Sequence, residues 1–259
     1  MIKFFRKIRQ NLIAEGNVAK YLRYAFGEIL LVVIGILIAL QINNWNEARQ
    51  DEALEIRYLN RLKLDLAEDT IYYNQRIERA EKSIENNSRA ISMAYETQHN
   101  VREFGELCLL YNFDAESLII QNITYNEMVN TGKLSIIQNE QLKIAISELY
   151  KSTNEIAEHV KNYNDFTGAL LVDLNTSNVF LKYFPYPGVR ELFSGPGMYH
   201  DTDWKFINEP DSYKFRLLEN CMLTYINKQR YFLPHFFDLK EKSKSVIRLI
   251  DEELKNRNE

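Results

Sequence analysis

The sequence is poor in residues that staple, break or bend a chain: its 259 residues include two Cys, five Pro and nine Gly. Two cysteines exclude a disulfide-dense secreted scaffold, which needs several bridges in place of a core. The common nucleotide-binding and hydrolytic signatures are missing too, with no G-x-G-x-x-G, no P-loop, no G-x-S-x-G and no H-E-x-x-H. A net charge of −4 leaves no whole-chain footprint for nucleic acid. Only one segment is apolar enough to span a bilayer, which excludes a polytopic membrane protein. What is present is 46% hydrophobic residues and 12% aromatics, enough for a packed core and too much for a disordered chain.

The apolar segment is Ile29, Leu30, Leu31, Val32, Val33, Ile34, Gly35, Ile36, Leu37, Ile38, Ala39 and Leu40, unbroken by any polar residue. Twelve residues at 1.5 Å each cover about 18 Å of a roughly 30 Å hydrocarbon core. A span therefore borrows neighbours, over residues 24–46, which places Glu28 at the cytoplasmic boundary within reach of Arg23 or of headgroups. Trp45 occupies an interfacial aromatic position, and Tyr21 and Tyr24 mark the opposite side. Six of the 32 basic residues stand before residue 24 against one acid, Glu15, so the rest of the chain is net acidic. A basic head before an apolar run is the pattern of an anchor with its N-terminus inside.

Two other readings compete with the anchor. A cleaved signal peptide wants a shorter basic region and a better cleavage site than Ile38-Ala39-Leu40. A buried helix of a soluble protein, lying on the inner leaflet, accommodates twelve apolar residues as well, but not the basic head and flanking aromatics. In the head, residues 1–23, Ile2, Phe5, Ile8, Leu12 and Ile13 recur at helical spacing between Lys3, Arg6, Lys7 and Arg9. That is a basic amphipathic helix suited to anionic lipid. Gly35 and Ala39, with Gly27 on nearly the same face, form either a dimer seam or an ordinary sprinkling of small residues.

The stretch MIKFFRKIRQNLIAEGNVAKYLRYAFGEILLVVIGILIALQINNWNEARQ is similar to the N-terminus of a bacterial family of uncharacterised single-pass membrane proteins. TYNEMVNTGKLSIIQNEQL, Thr124 to Leu142, resembles the same family's internal motif. The two cover about a quarter of the chain. The family is a domain of unknown function, so the resemblance implies a bacterial inner-membrane anchor and names no reaction.

Beyond the anchor, residues 47–259 read as an extracytoplasmic helical bundle. No Gly or Pro occurs from Glu47 to Gln98, and Leu59, Leu62, Leu66, Tyr73, Ile77, Ala80, Ile84, Ile91 and Ala94 alternate at three and four. This coiled-coil-like stripe is interrupted by Thr70 and Asn87, with Glu78, Arg79, Glu81 and Lys82 on a solvated face. Asn100 and Glu103 suggest a capping box for a short helix through Leu110. Asp114 is read as the cap of the next helix, ending at Thr131-Gly132. Leu134, Ile136 and Ile137 plug the bundle end, and Asn139 caps a long helix to about Asn175. A last helical pattern runs from Asp211 to Lys255, where Pro234 is expected to kink or interrupt it. The fold class is all-α, a transmembrane helix continuing into an elongated antiparallel bundle.

Residues 177–210 differ, holding Pro185, Pro187, Pro196 and Pro210 among eight aromatics. The loop is either a cap packed over the helices or a recognition surface built on Tyr183, Tyr186, Phe193, Tyr199 and Trp204. His200, Asp201 and Asp203 lie in it, the one local cluster to consider for a tethered enzyme or a metal. Glu155 and His159 share a helix face without the repeated Glu-x-x-His of di-iron bundles. Cys108 and Cys221 fall in apolar surroundings and read as buried thiols rather than a bridge. No cofactor is expected, and no nucleic acid. The function these features suggest is a non-enzymatic membrane-anchored scaffold, sensor or interaction protein, bound to lipid through anchor and head and to a protein partner or a second copy of itself.

Overall fold

The long stretch without helix breakers forms one helix, α1, Val18–Ala94, in the computed structural model, which describes residues 18–96, 104, 116–177 and 201–257. It is followed by α2 (Ile123–Asn130), a 3-10 turn at Lys133–Ile136, α3 (Glu140–Ser177), a 3-10 segment at Asp201–Asn208 and α4 (Tyr213–Asn256). There is no strand among the described residues. The chain divides into two units, Met1–Arg57 and Tyr58–Glu259. In the first, the described residues are helical throughout and the side chains of residues 29–50 are exposed.

The second unit is a bundle of α3, α4 and the part of α1 from Tyr58. Its register is set by side chains. Lys63 binds Asp251 at 2.5 Å, the Arg76 guanidinium lies 5.4 Å from the Phe236 ring centre, and the Tyr95 hydroxyl donates to Glu219. Partner numbers on α4 fall as those on α1 rise, so these two helices are antiparallel. On α3 and α4 the pairs are Asn139 with Glu253, Asn164 with Lys228, and Leu170 with Cys221, antiparallel again. It follows that α1 and α3 run parallel.

Along α1 the buried positions include 59, 62, 66, 69, 73, 76, 80, 83, 87, 90 and 94, a stripe alternating at three and four over the bundle, with Glu55, Tyr58, Ile77 and Met93 buried beside it. That is the 3.5-residue period of a helix keeping one face to its neighbours. The stripe is not interrupted at Asn87, which is fully buried and donates to the Ser83 carbonyl at 2.9 Å. Asp69, Arg76 and Ser83 also lie in the seam, so its period is carried by polar and apolar residues together. Glu78, Arg79, Glu81 and Lys82 are exposed, as the pattern predicts.

Two boundaries differ from expectation. The helix read as capped by Asp114 begins at Ile123, and residues 116–122 are irregular; Asp114 itself, like Asn100 and Glu103, lies outside the described residues. The cause is tertiary, since the amides of this stretch bond to α1 side chains instead of to a preceding turn. α4 is unbroken through Pro234, which is flanked by Phe232 and Phe236, both packed in the core. Loss of one backbone bond at proline is offset there by apolar burial on either side.

The remaining motif residues have packing roles. Met128 and Leu142 are fully buried, and Gly132, at φ 71°, turns the chain out of α2 in a conformation that glycine adopts without a Cβ clash. Ile137 is buried, with Leu134 and Ile136 half-buried beside it. Asn139 caps α3 as expected: its Oδ1 accepts from the Leu142 amide at 3.1 Å, and its Nδ2 donates to Glu253 at 2.8 Å. That bond and Arg257 hold the Glu253 carboxyl below its ordinary pKa. Replacing Asn139 with Ala removes both the cap and the tie to α4. We expect a loss of about 1–2 kcal/mol, read from the midpoint of urea unfolding.

Candidate functional site

The residues read as an anchor, Glu28 to Leu40 with Trp45, stand on one helix, α1. From Ile29 to Leu40 the large aliphatic side chains are 44% to 70% exposed, on every face of three successive turns. Phe26, Ile42 and Trp45 are exposed as well, and Glu28 is half-buried. The helix that carries this run is the one helix among the described residues long and apolar enough to cross a membrane, and none of that helix's most apolar 18 residues is buried. A Cβ added at Gly27 or Gly35 would meet nothing within 4 Å.

The loop residues are placed less completely. Tyr183, Tyr186, Phe193, Tyr199 and His200 lie outside the described residues, and of Trp204, Asp201 and Asp203 only the backbone is described, in the 3-10 segment Asp201–Asn208. That segment packs Phe206 and Ile207 into a cluster with Ala90, Phe215 and Leu218. At this end the aromatic stretch is a cap on the bundle. Beside the cluster, Ile91, Tyr95, Phe215 and Met222 line a small recess.

Other candidates separate. Glu155 lies 3.9 Å from Lys151, whereas the His159 Nδ1 faces the Tyr231 hydroxyl at 3.5 Å, so the two do not converge. No group of three His, Cys, Asp or Glu suited to a metal occurs among the described residues. Cys221 is a buried free thiol, its Sγ 3.7 Å from the Leu170 carbonyl and its pKa pushed up to about 11 by burial. Cys108 lies outside the described residues.

The arrangement that sequence reasoning missed lies where residues 116–124 cross α1. The Tyr72 hydroxyl donates to the Ser117 carbonyl at 3.2 Å and accepts from the Ile119 amide at 3.1 Å. Two turns of α1 supply the next acceptors: Asp69 Oδ1 takes the Gln121 amide at 3.1 Å, and Asp65 Oδ2 the Thr124 amide at 3.4 Å. From α3, the Tyr150 hydroxyl donates to the Gln121 carbonyl at 3.2 Å, and Asn164 to that of Glu116 at 3.2 Å. Glu116 is itself bound by Arg76 at 3.3 Å and Arg79 at 2.5 Å. Tyr125 stacks on Tyr150 at 4.2 Å, and Glu127 accepts from the Tyr58 hydroxyl at 2.9 Å and pairs with Arg61 at 2.7 Å. The motif stretch is thus the downstream end of a strap written onto the bundle by side chains.

Asp69 is the unusual member. It is 3% exposed, and burial pushes its carboxyl up to about 6, with the charges of Asp65 and Glu68 adding to the rise and the Gln121 amide opposing it. Tyr73 and Tyr150 have their hydroxyls raised by the same burial, with the Asp69 charge adding to it. A pair of acids four apart on one helix gives no such signal in sequence; Asp69 is removed from water by its place in the buried seam of α1, with Tyr150 of α3 beside it.

These observations define an all-α protein with an exposed apolar N-terminal helix segment and a strapped helical bundle. A family model matches residues 28–164, and the chain belongs to that family, DUF6090, a family of unknown function. The match takes in the apolar run, the strap and its motif, and ends before α4 begins. Comparison with curated proteins gave no match, and comparison with solved structures gave none.

Because the folded pKa of Asp69 lies above the ordinary 3.8, its ionised form opposes folding. The penalty is absent below about pH 4, grows between pH 4 and 6, and is complete above pH 6. Asp69→Asn, which keeps an acceptor for Gln121 without the charge, is expected to stabilise the protein at pH 7.5 by about 2 kcal/mol. That is a melting-point rise of about 5 °C, vanishing at pH 4 in thermal scans of both proteins.

Proposed function

We propose that this chain is a membrane-anchored helical scaffold or interaction protein, held in a bacterial cytoplasmic membrane by one span over residues 24–46, with its bundle outside the cytoplasm. The observation that carries the reading is the exposure of the aliphatic side chains from Ile29 to Leu40 on all sides of one helix. Ten large aliphatic residues stand in that run. At about 0.5 kcal/mol each they favour hydrocarbon by about 5 kcal/mol, whereas water leaves that surface without compensation. The excess of Lys and Arg before residue 24 supports a cytoplasmic N-terminus, and the basic head suits anionic lipid.

The same helix, α1, carries the apolar run and the buried seam of the bundle, which supports a role in presenting the bundle at a membrane. Leu64 and Ile71, seven apart on α1, are exposed apolar residues of the bundle and support contact with a protein partner or a second copy.

A reporter active only outside the cytoplasm, fused after Glu259 in a bacterial host, is expected to be active, with the protein released from membranes by detergent and not by carbonate. A silent reporter on full-length protein would overturn the topology. Ile34→Asp with Leu37→Asp adds about 6 kcal/mol against insertion, more than the run supplies, and is expected to move the protein out of the membrane pellet.

A further inference from the structure

We infer that residues 116–124 form a proton-sensitive latch on α1, with Asp69 as the group that senses the proton. The inference does not depend on the anchor. It starts from how the strap is held: its amides at Ile119, Gln121 and Thr124 are taken by side chains of α1, one from each of three successive turns, in antiparallel order. Among the three acceptors, Tyr72 and Asp65 are half-buried, and Asp69 alone is removed from water.

Ionised, Asp69 offers the Gln121 amide a charge-assisted bond, roughly twice as strong as a neutral one. Protonated, the same oxygen is a weaker acceptor, while the burial cost of the charge disappears. Acidification therefore acts in opposite directions at two levels: the strap's central bond weakens while the fold as a whole gains stability. The Asp69 carboxyl, standing near 6, makes this exchange within a mildly acidic range.

The groups facing Asp69 sharpen the effect. On its own helix Asp65 and Glu68 both raise it, and Tyr73 stands one turn further on. From α3 comes Tyr150, with Tyr125 of α2 stacked on it, and from the strap only the Gln121 amide. The α4 cations between the Phe236 and Asp251 contacts act elsewhere. Lys240 lies over the Phe237 ring, Lys242 binds Asp238 and Ser152, and Lys244 and Arg248 act on Glu241. The strap amide is thus the main group favouring the charged form, so strap position and proton occupancy are coupled and each must report on the other.

The test is amide hydrogen exchange of the full-length protein in detergent micelles, resolved within residues 116–124 and corrected for intrinsic rates. Protection of the Gln121 amide is expected to be about fivefold higher at pH 7.5 than at pH 5.0, and equal at the two pH values in Asp69→Asn; Asp65→Asn, which removes one of the charges that raise Asp69, keeps a dependence with its midpoint at lower pH. Equal protection at both pH values in the wild type, or a dependence that survives in Asp69→Asn, overturns the latch. Should Asp69→Asn fail to fold, the reciprocal measurement decides. Gln121→Pro, which removes the amide, is expected to raise the Asp69 titration midpoint in carboxyl carbon NMR, and an unmoved midpoint refutes the coupling.

Discussion

The bundle rests on the parallel course of α1 and α3. Two helices that run the same way cannot be joined by a short turn, and the chain must return along their length before the second begins. Part of that return is the stretch at 116–122, and its backbone groups need partners that a helix would have supplied internally. Tyr72, Asp69, Asp65, Tyr150 and Asn164 are those partners. A buried or half-buried amide left without an acceptor costs more than most single contacts contribute, so the return path and the side chains lining it are one requirement.

The requirement explains the polar content of the seam. A seam made for packing alone would be apolar, yet Asp69, Arg76, Ser83 and Asn87 occupy core positions of α1. Their partners account for them, since Asp69 and Arg76 face the strap and Glu116, and Asn87 bonds the Ser83 carbonyl and hydroxyl. Burying Asp69 carries an electrostatic penalty, visible in its raised pKa, and the penalty is the reason this position responds to protons. The same crowding of tyrosines around a carboxylate stiffens the motif, where Tyr125, Tyr150 and Tyr58 all bond or stack within two helical turns of the strap.

Much of the architecture was legible in the residues themselves. The absence of Gly and Pro after Glu47 announced a long helix, the three-and-four spacing announced its buried face, and Asn139 and Gly132 marked a helix start and a turn with the chemistry those places need. The apolar run from Ile29 to Leu40 was equally plain, because composition alone decides whether a helix face can be wetted. Phe206 belonged to the aromatic stretch for which a packed cap was one reading, and it packs.

Other features depended on partners far away in sequence. Asp114 looked like a cap because local propensity favours helix there, but amide bonds to α1 hold residues 116–122 out of a helix. Asn87 looked like a break in the stripe because hydropathy does not count a polar residue satisfied by its own helix. Pro234 looked like an interruption because the apolar packing of Phe232 and Phe236 on either side of it is a tertiary fact. Sequence by itself determined the helices, their apolar faces and the run fit for a membrane, since these follow from spacing and composition. Only the tertiary structure decided that α1 and α3 run parallel, and from that came the strap and the burial of Asp69, because a carboxylate's environment is set by what the rest of the chain lays over it.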